Sequence, residues 1–348
     1  MALIKREFGE ELKKYGASDF HACYNCGTCT AVCALSNEKD SFPREMLRNS
    51  VLGLKGDIKS SLKPWLCYYC GECTTHCPQS ANPGELMMSL RRWLTAQYDW
   101  TGLSGLLYKS LLLSFLAFLL VAAGVLAIGF YKGFNLGILM HYGHSFEVIA
   151  IAGVFALILL PNVIRMWYYI ILKPKHKIPL MTYAKGLWEL VVHMFTQKRT
   201  LGCDDNVLRW FEHFLLVISY LTLLFVTVFL DWFASRNAFF VVLGYVVSAI
   251  IVIVTVDFVI GRIRKKKEIS KFSQPSDWLF VIWLSMMGFT AMAVRLFIDT
   301  GLLEANAWFY LVHLIILVQW ALIIVPFGKW THFLYRSFAQ YFNKIQAG

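Results

Sequence analysis

Six apolar runs, each long enough to cross a bilayer, constrain this chain more than any other feature. They occupy roughly 107–130, 147–172, 210–230, 238–260, 278–298 and 308–328, and a helical span needs about 20 apolar residues. Backbone groups in such runs find no water to bond, so each run must satisfy its own as a helix. The sequence therefore predicts an all-α protein with a soluble part over 1–104, a six-helix transmembrane bundle over 105–334 and a cytoplasmic tail over 335–348.

Charge sets the expected topology. The net charge is +11, yet residues 1–100 hold twelve Lys/Arg against eleven Asp/Glu, so the soluble part is nearly balanced and nucleic acid is not an expected partner. The excess lies between the apolar runs. Seven Lys/Arg fall in 173–209, six in 261–275 (Lys265, Lys266 and Lys267 among them) and three from Lys329 onward. The alternate breaks hold only Lys132 and Arg236. The positive-inside rule then puts both termini and the basic loops in the cytoplasm. Residues 1–15 lack the apolar core of a secretory signal, which agrees. Trp167, Trp210, Trp232, Trp278 and Trp308 sit at run ends as an interfacial belt. Residues 184–195 mix apolar and polar positions and are expected along the cytoplasmic interface, with His193 at the surface.

Eight of the nine cysteines lie in 1–104. Cys23, Cys26, Cys29 and Cys33 read C-x2-C-x2-C-x3-C. Cys67, Cys70, Cys73 and Cys77 repeat this 44 positions later, with Pro78 following. Zinc sites favour paired C-x2-C elements with long gaps, whereas this run is the bacterial ferredoxin spacing. Three closely spaced thiolates wrap one cubane, Gly27 and Gly71 allowing the turn, and the fourth cysteine ligates the other cluster. The expected sets are Cys23, Cys26, Cys29 and Cys77 for one [4Fe–4S] cluster, and Cys67, Cys70, Cys73 and Cys33 for a second. Residues 42–54 and 83–95 are expected as short helices. Cys203 stands alone as a loop cysteine.

Of nine histidines, His21 and His76 neighbour cluster cysteines, where hydrogen bonds can tune a cluster. His213, at the start of the third run, and His332, past the sixth, lie at similar depth on the same side. Two imidazoles from facing helices supply the axial ligands of a b-type haem, so these two form the expected pair. His313 precedes His332 by 19 residues, roughly 28 Å along a straight helix, which places it near the outer side. It is a candidate for a second haem, with His141 or His144 at the mouth of the second run as partner, or for the lining of a quinone pocket. Arg295 and Arg336 are candidate propionate partners.

The cysteine-rich part resembles the C-type iron–sulfur protein of heterodisulfide reductase, and the membrane part resembles cytochrome b subunits of that enzyme and of respiratory nitrate reductase. In the latter, two histidine ligands share the last span, as His313 and His332 do here; Leu223 stands where the outer-haem partner is expected. The fusion in this order resembles the membrane-protein family of the quinone-interacting membrane-bound oxidoreductase, Qmo. Cys-Tyr-Asn-Cys-Gly-Thr-Cys at 23–29, Asn82-Pro83-Gly84-Glu85 and Pro326-Phe327 with His332 and Tyr335-Arg336 carry the likeness. It implies flavin- and cluster-containing soluble Qmo A- and B-like partners, and coupling of menaquinone to adenylylsulfate reductase in sulfur metabolism. A heterodisulfide-reductase-type component is the alternative; a membrane redox sensor would call for a signalling domain or a long tail.

Overall fold

The structure is a computed structural model and describes residues 7–38, 40–198, 201, 207–228, 237–265 and 268–347. Cys203, Trp232, Arg236, Lys266 and Lys267 lie outside the described residues. The described residues are nearly all helical, 77%, and form no strand. They hold one isolated bridge, Asn37 to Asp40.

The amino-terminal part is a set of short helices: α1 (Phe8–Lys13), α2 (Thr28–Ala31), α3 (Arg44–Val51), α4 (Lys55–Lys59), α5 (Lys63–Leu66), α6 (Glu72–Thr75) and the longer α7 (Pro83–Tyr98). α3 and α7 match the two expected helices. Pro83 begins α7, where a missing N–H costs nothing. A short α8 (Leu103–Lys109) leads into the long helices.

Among the described residues, six helices are long and apolar enough to cross a membrane. α9 (Leu111–Tyr131) opens on Ser110, whose hydroxyl accepts from the Leu113 N–H. α10 (Leu136–Leu172) opens on Asn135, capping the Ile138 N–H. It therefore starts eleven positions before the apolar run that announced it, because the cap and not hydropathy sets its end. His141 and His144 consequently lie within this helix and not at its mouth. α11 (Leu180–Thr196) covers the residues 184–195 expected to form a helix between the spans. α12 (Val207–Val228), α13 (Ala238–Arg264), a one-turn α14 (Glu268–Lys271) and α15 (Pro275–Asp299) follow.

The last apolar stretch, α16 (residues 307–327), is separated from α17 (Thr331–Ala347) by an extended Gly328. Pro326 donates no N–H, and a Cβ on Gly328 would come 2.7 Å from the Ile324 carbonyl oxygen. His313 and His332 therefore stand on two helices rather than at the ends of a single straight one.

The residues expected as a tail form α17, which packs along α11. Leu334, Tyr335, Ala339, Phe342 and Ile345 on α17 are buried in the same apolar core as Trp65, Leu86, Trp93 and Tyr98 of the amino-terminal part. Met166 and Ile170 of α10 belong to it too. The two parts thus share one core. A second core joins α9, α12, α13, α15 and α16 around Ile251, Leu284 and Trp320.

Candidate functional site

The two cysteine loops repeat in geometry as they do in sequence. Asn25 and Tyr69, each two residues past the first cysteine, have φ of 66° and 56°. This left-handed turn aims each backbone N–H at the preceding cysteine sulfur: Asn25 N to Cys23 Sγ and Tyr69 N to Cys67 Sγ, both 3.4 Å. Gly27 (φ 91°) and Gly71 (φ 97°) then continue left-handed, a conformation that suits glycine, and each starts a one-turn helix, α2 or α6. Ala81 N adds a third such bond, to Cys77 Sγ at 3.3 Å. Tyr69 is held in its strained turn from two sides. Its hydroxyl donates to Glu85 at 3.2 Å, and its carbonyl accepts from Arg209 at 3.1 Å.

Each loop surrounds a hollow. One is lined by Cys23, Cys26, Cys29 and Cys77. The other is lined by Cys67, Cys70, Cys73 and Cys33. The fourth cysteine of each run thus faces the hollow of the other run. Among the described residues, no three His, Cys, Asp or Glu side chains converge as a single metal ion would require. The thiols instead stand around a space, as the four corner irons of a cubane need. Burial pushes the thiols of Cys29, Cys33, Cys67 and Cys73 up, while the Thr28 hydroxyl draws that of Cys26 down. Ionising the buried ones calls for the positive charge of bound iron.

Arg91 braces the second loop from beneath. Its guanidinium is buried and donates to the carbonyls of Pro64 (2.7 Å) and Cys67 (2.5 Å). Burial pulls it down to about 10. Beside it, Arg92 pairs with Glu85 at 2.9 Å and Asp277 at 3.0 Å, and Lys329 completes the array against Asp277 at 2.6 Å. Burial opposes the charge of Arg92, but Asp277 and Glu85 outweigh it and hold it above its ordinary value.

Trp65 joins the cysteine loops to the histidines. It is fully buried two residues before Cys67, with its ring 6.0 Å from the His332 imidazole and 5.3 Å from Tyr335. His213 lies within electrostatic reach of His332. Arg336 acts on both. His213 Nδ1 is buried and bonds to no atom of the described residues. An imidazole with an unmet ring nitrogen, a second imidazole nearby and surrounding cations fit a ligated haem with its two propionates.

His313 is elsewhere, in α16. Its Nδ1 is 2.8 Å from the Thr290 hydroxyl. That hydroxyl donates to the Met286 carbonyl, so it accepts from His313 and leaves Nε2 as the lone-pair nitrogen. The ring of Tyr310 is 6.5 Å away. His144 lies near Glu147 in α10, and His141 is exposed beside Tyr142. Arg295 is engaged by Asp299 at 2.7 Å. His76 bonds to the Glu72 carbonyl, and His21 lies on the Phe20 ring. His193 was expected at the surface but is 3% exposed, because it faces inward along with Gly186 and Leu190 of α11.

Sequence reasoning passed over Trp65, Arg91, Arg92, Asp277 and Lys329. The one available signal was an adjacent arginine pair inside the apolar helix α7.

Fold and site define a two-cluster iron–sulfur protein with a multi-helix membrane part. Residues 22–82 match the 4Fe-4S dicluster domain family. The chain is 28% identical over 96 residues to a C-like protein of the heterodisulfide reductase type from Archaeoglobus profundus, covering 27% of this chain and 51% of that one. It is 34% identical over 76 residues to the C-type component of the H(2):CoB-CoM heterodisulfide,ferredoxin reductase of Methanothermobacter marburgensis, covering 22% and 41%. The chain thus spans about half or less of the curated relatives it matches. No solved structure matches it.

Proposed function

We propose that this chain carries electrons between a soluble flavin- and cluster-containing partner and the membrane menaquinone pool. Cys23, Cys26, Cys29 and Cys77 hold one [4Fe–4S] cluster; Cys67, Cys70, Cys73 and Cys33 hold the other; His213 and His332 hold a b-type haem. Bound there, these groups supply one-electron redox chemistry. The observation that carries the reading is the packing of Trp65, two residues before Cys67, beside the His332 imidazole.

The chain's own residues do the rest. The N–H groups of Asn25, Tyr69 and Ala81 stabilise charge on the sulfurs. Arg91 fixes the backbone on both sides of Leu66. Trp65, Tyr98 and Tyr335 pack at ring distances of 5.3–6.5 Å and exclude water between loop and histidines. The loop charges favour a cytoplasmic position for the cluster part, and a Qmo-type assembly would link it to adenylylsulfate reductase. The curated likeness supports a second reading, in which the soluble partner reduces a heterodisulfide.

Iron and labile-sulfide counts with a pyridine haemochrome assay on purified protein test this. About eight cluster irons per chain are expected, and markedly fewer would break the two-cubane assignment. His213→Ala should abolish the optical spectrum of the haem nearest the clusters; an unchanged spectrum removes that ligand.

A further inference from the structure

A cavity of about 170 Å³ lies where α7, α8, the start of α15 and the end of α16 meet. One end is polar: Arg92, Tyr108, Ser276 and Lys329 line it. An ammonium has three donors, and the bond to Asp277 uses one of those on Lys329. The opposite walls are apolar, with Phe118, Leu279 and Ile324 among them.

Two neighbouring spaces share its walls. A groove of about 600 Å³ between α9 and α15 has Leu111, Ser114, Phe118, Pro275 and Leu279 in common with it. Phe115 and Leu119 on the groove rim are 64% and 53% exposed, so it opens sideways onto the apolar surface. On the other side, a narrow space of about 20 Å³ shares Arg92, Tyr108, Ser276 and Lys329 with the cavity and ends at His332 and Trp65. A flat ligand with hydrogen-bonding oxygens and a long apolar tail fits this sequence of spaces. The head would meet Lys329, and the tail would leave through the groove. The groove, at about 600 Å³, is in the size range of a small-molecule site.

We propose that this cavity is the quinone site, a placement that rests on the quinone-linked reading above. Quinone takes up two electrons from the chain's own relay and two protons from water, giving quinol; the reverse run returns both. The exposed Lys14 and Lys109 line the same cavity, so the protons exchange with the solution on the side of the cysteine-rich part. The Lys329–Asp277–Arg92–Glu85 array ties the quinone end to Tyr69 at the second hollow.

The test is photolabelling of the full chain in phosphatidylglycerol nanodiscs with an azido-naphthoquinone bearing a short isoprenoid tail. Adducts are mapped by peptide mass spectrometry. Adducts should fall within 107–118 and 275–280 and be displaced by menaquinone. Leu279→Trp, which fills the shared wall, should cut them about tenfold with iron content and visible spectrum unchanged. Menaquinone-displaced adducts around His313 and Glu147 instead would overturn the placement and keep the quinone reading. No menaquinone-displaced adduct anywhere would overturn both. Adducts displaced by added phospholipid but not by menaquinone would make this a lipid-headgroup site and overturn the proposal.

Discussion

At the scale of single residues, the crossed pairing is the sharpest point to test. Cys33 faces the hollow of the second run and Cys77 that of the first. Cys77→Ser should therefore perturb the cluster of Cys23, Cys26 and Cys29, while Cys33→Ser should perturb the other. Electron paramagnetic resonance of the reduced variants reads this directly: each should lose a different one of two signals, and loss of the same signal in both would contradict the crossing. Asp277 is the second such point, since it neutralises both Arg92 and Lys329 in a buried place. Asp277→Ala takes the carboxylate from Lys329 and leaves Arg92 with Glu85 alone, and should cost about 3–5 kcal/mol, read as a lower unfolding temperature in detergent. Asp277→Asn, which keeps some hydrogen bonds, should cost less. The cysteines were legible because ligand spacing is local and few other chemistries use it. The array around Asp277 was not, because 185 positions separate it from Arg92 and no short pattern couples them.

At the scale of elements, the spans were legible because about 20 apolar residues leave the backbone one option. Their ends were less so, since Asn135 and the Pro326–Gly328 break act through hydrogen bonds that hydropathy does not register. α17 was hidden for a related reason. Its apolar residues recur at helical spacing among polar ones, so composition alone reads it as a solvated tail. Its seat on α11 depends on close approach at Gly186, where a Cβ would lie 2.6 Å from the Ile345 side chain and 2.9 Å from Tyr341. Gly186→Val should push the helices apart at a cost of about 1–3 kcal/mol. Because α17 also carries His332, the same variant should alter the spectrum of the haem proposed there. A lowered unfolding temperature with an untouched spectrum would mean that α17 holds His332 without help from α11.

At the scale of the whole molecule, the cysteine-rich part is built into the membrane part and does not hang from it. Trp65, Trp93, Leu94 and Tyr98 share their core with α10, α11 and α17, and Arg92 shares its charge partner with α15. Cutting after residue 104 would strip water-excluding contacts from these side chains and leave the buried Arg92–Glu85 pair without Asp277. Fully exposing a large apolar side chain costs about 1.5–3 kcal/mol, and several would be exposed at once. Domains of this size have little stability to spare, usually about 5–15 kcal/mol. Residues 1–104 expressed alone should therefore aggregate or retain far fewer than the about eight irons expected of the whole chain. Size-exclusion chromatography with an iron count checks this. A monomeric fragment with a full iron complement would show that the shared core serves the contact between Trp65 and His332 and not the folding of the cluster loops.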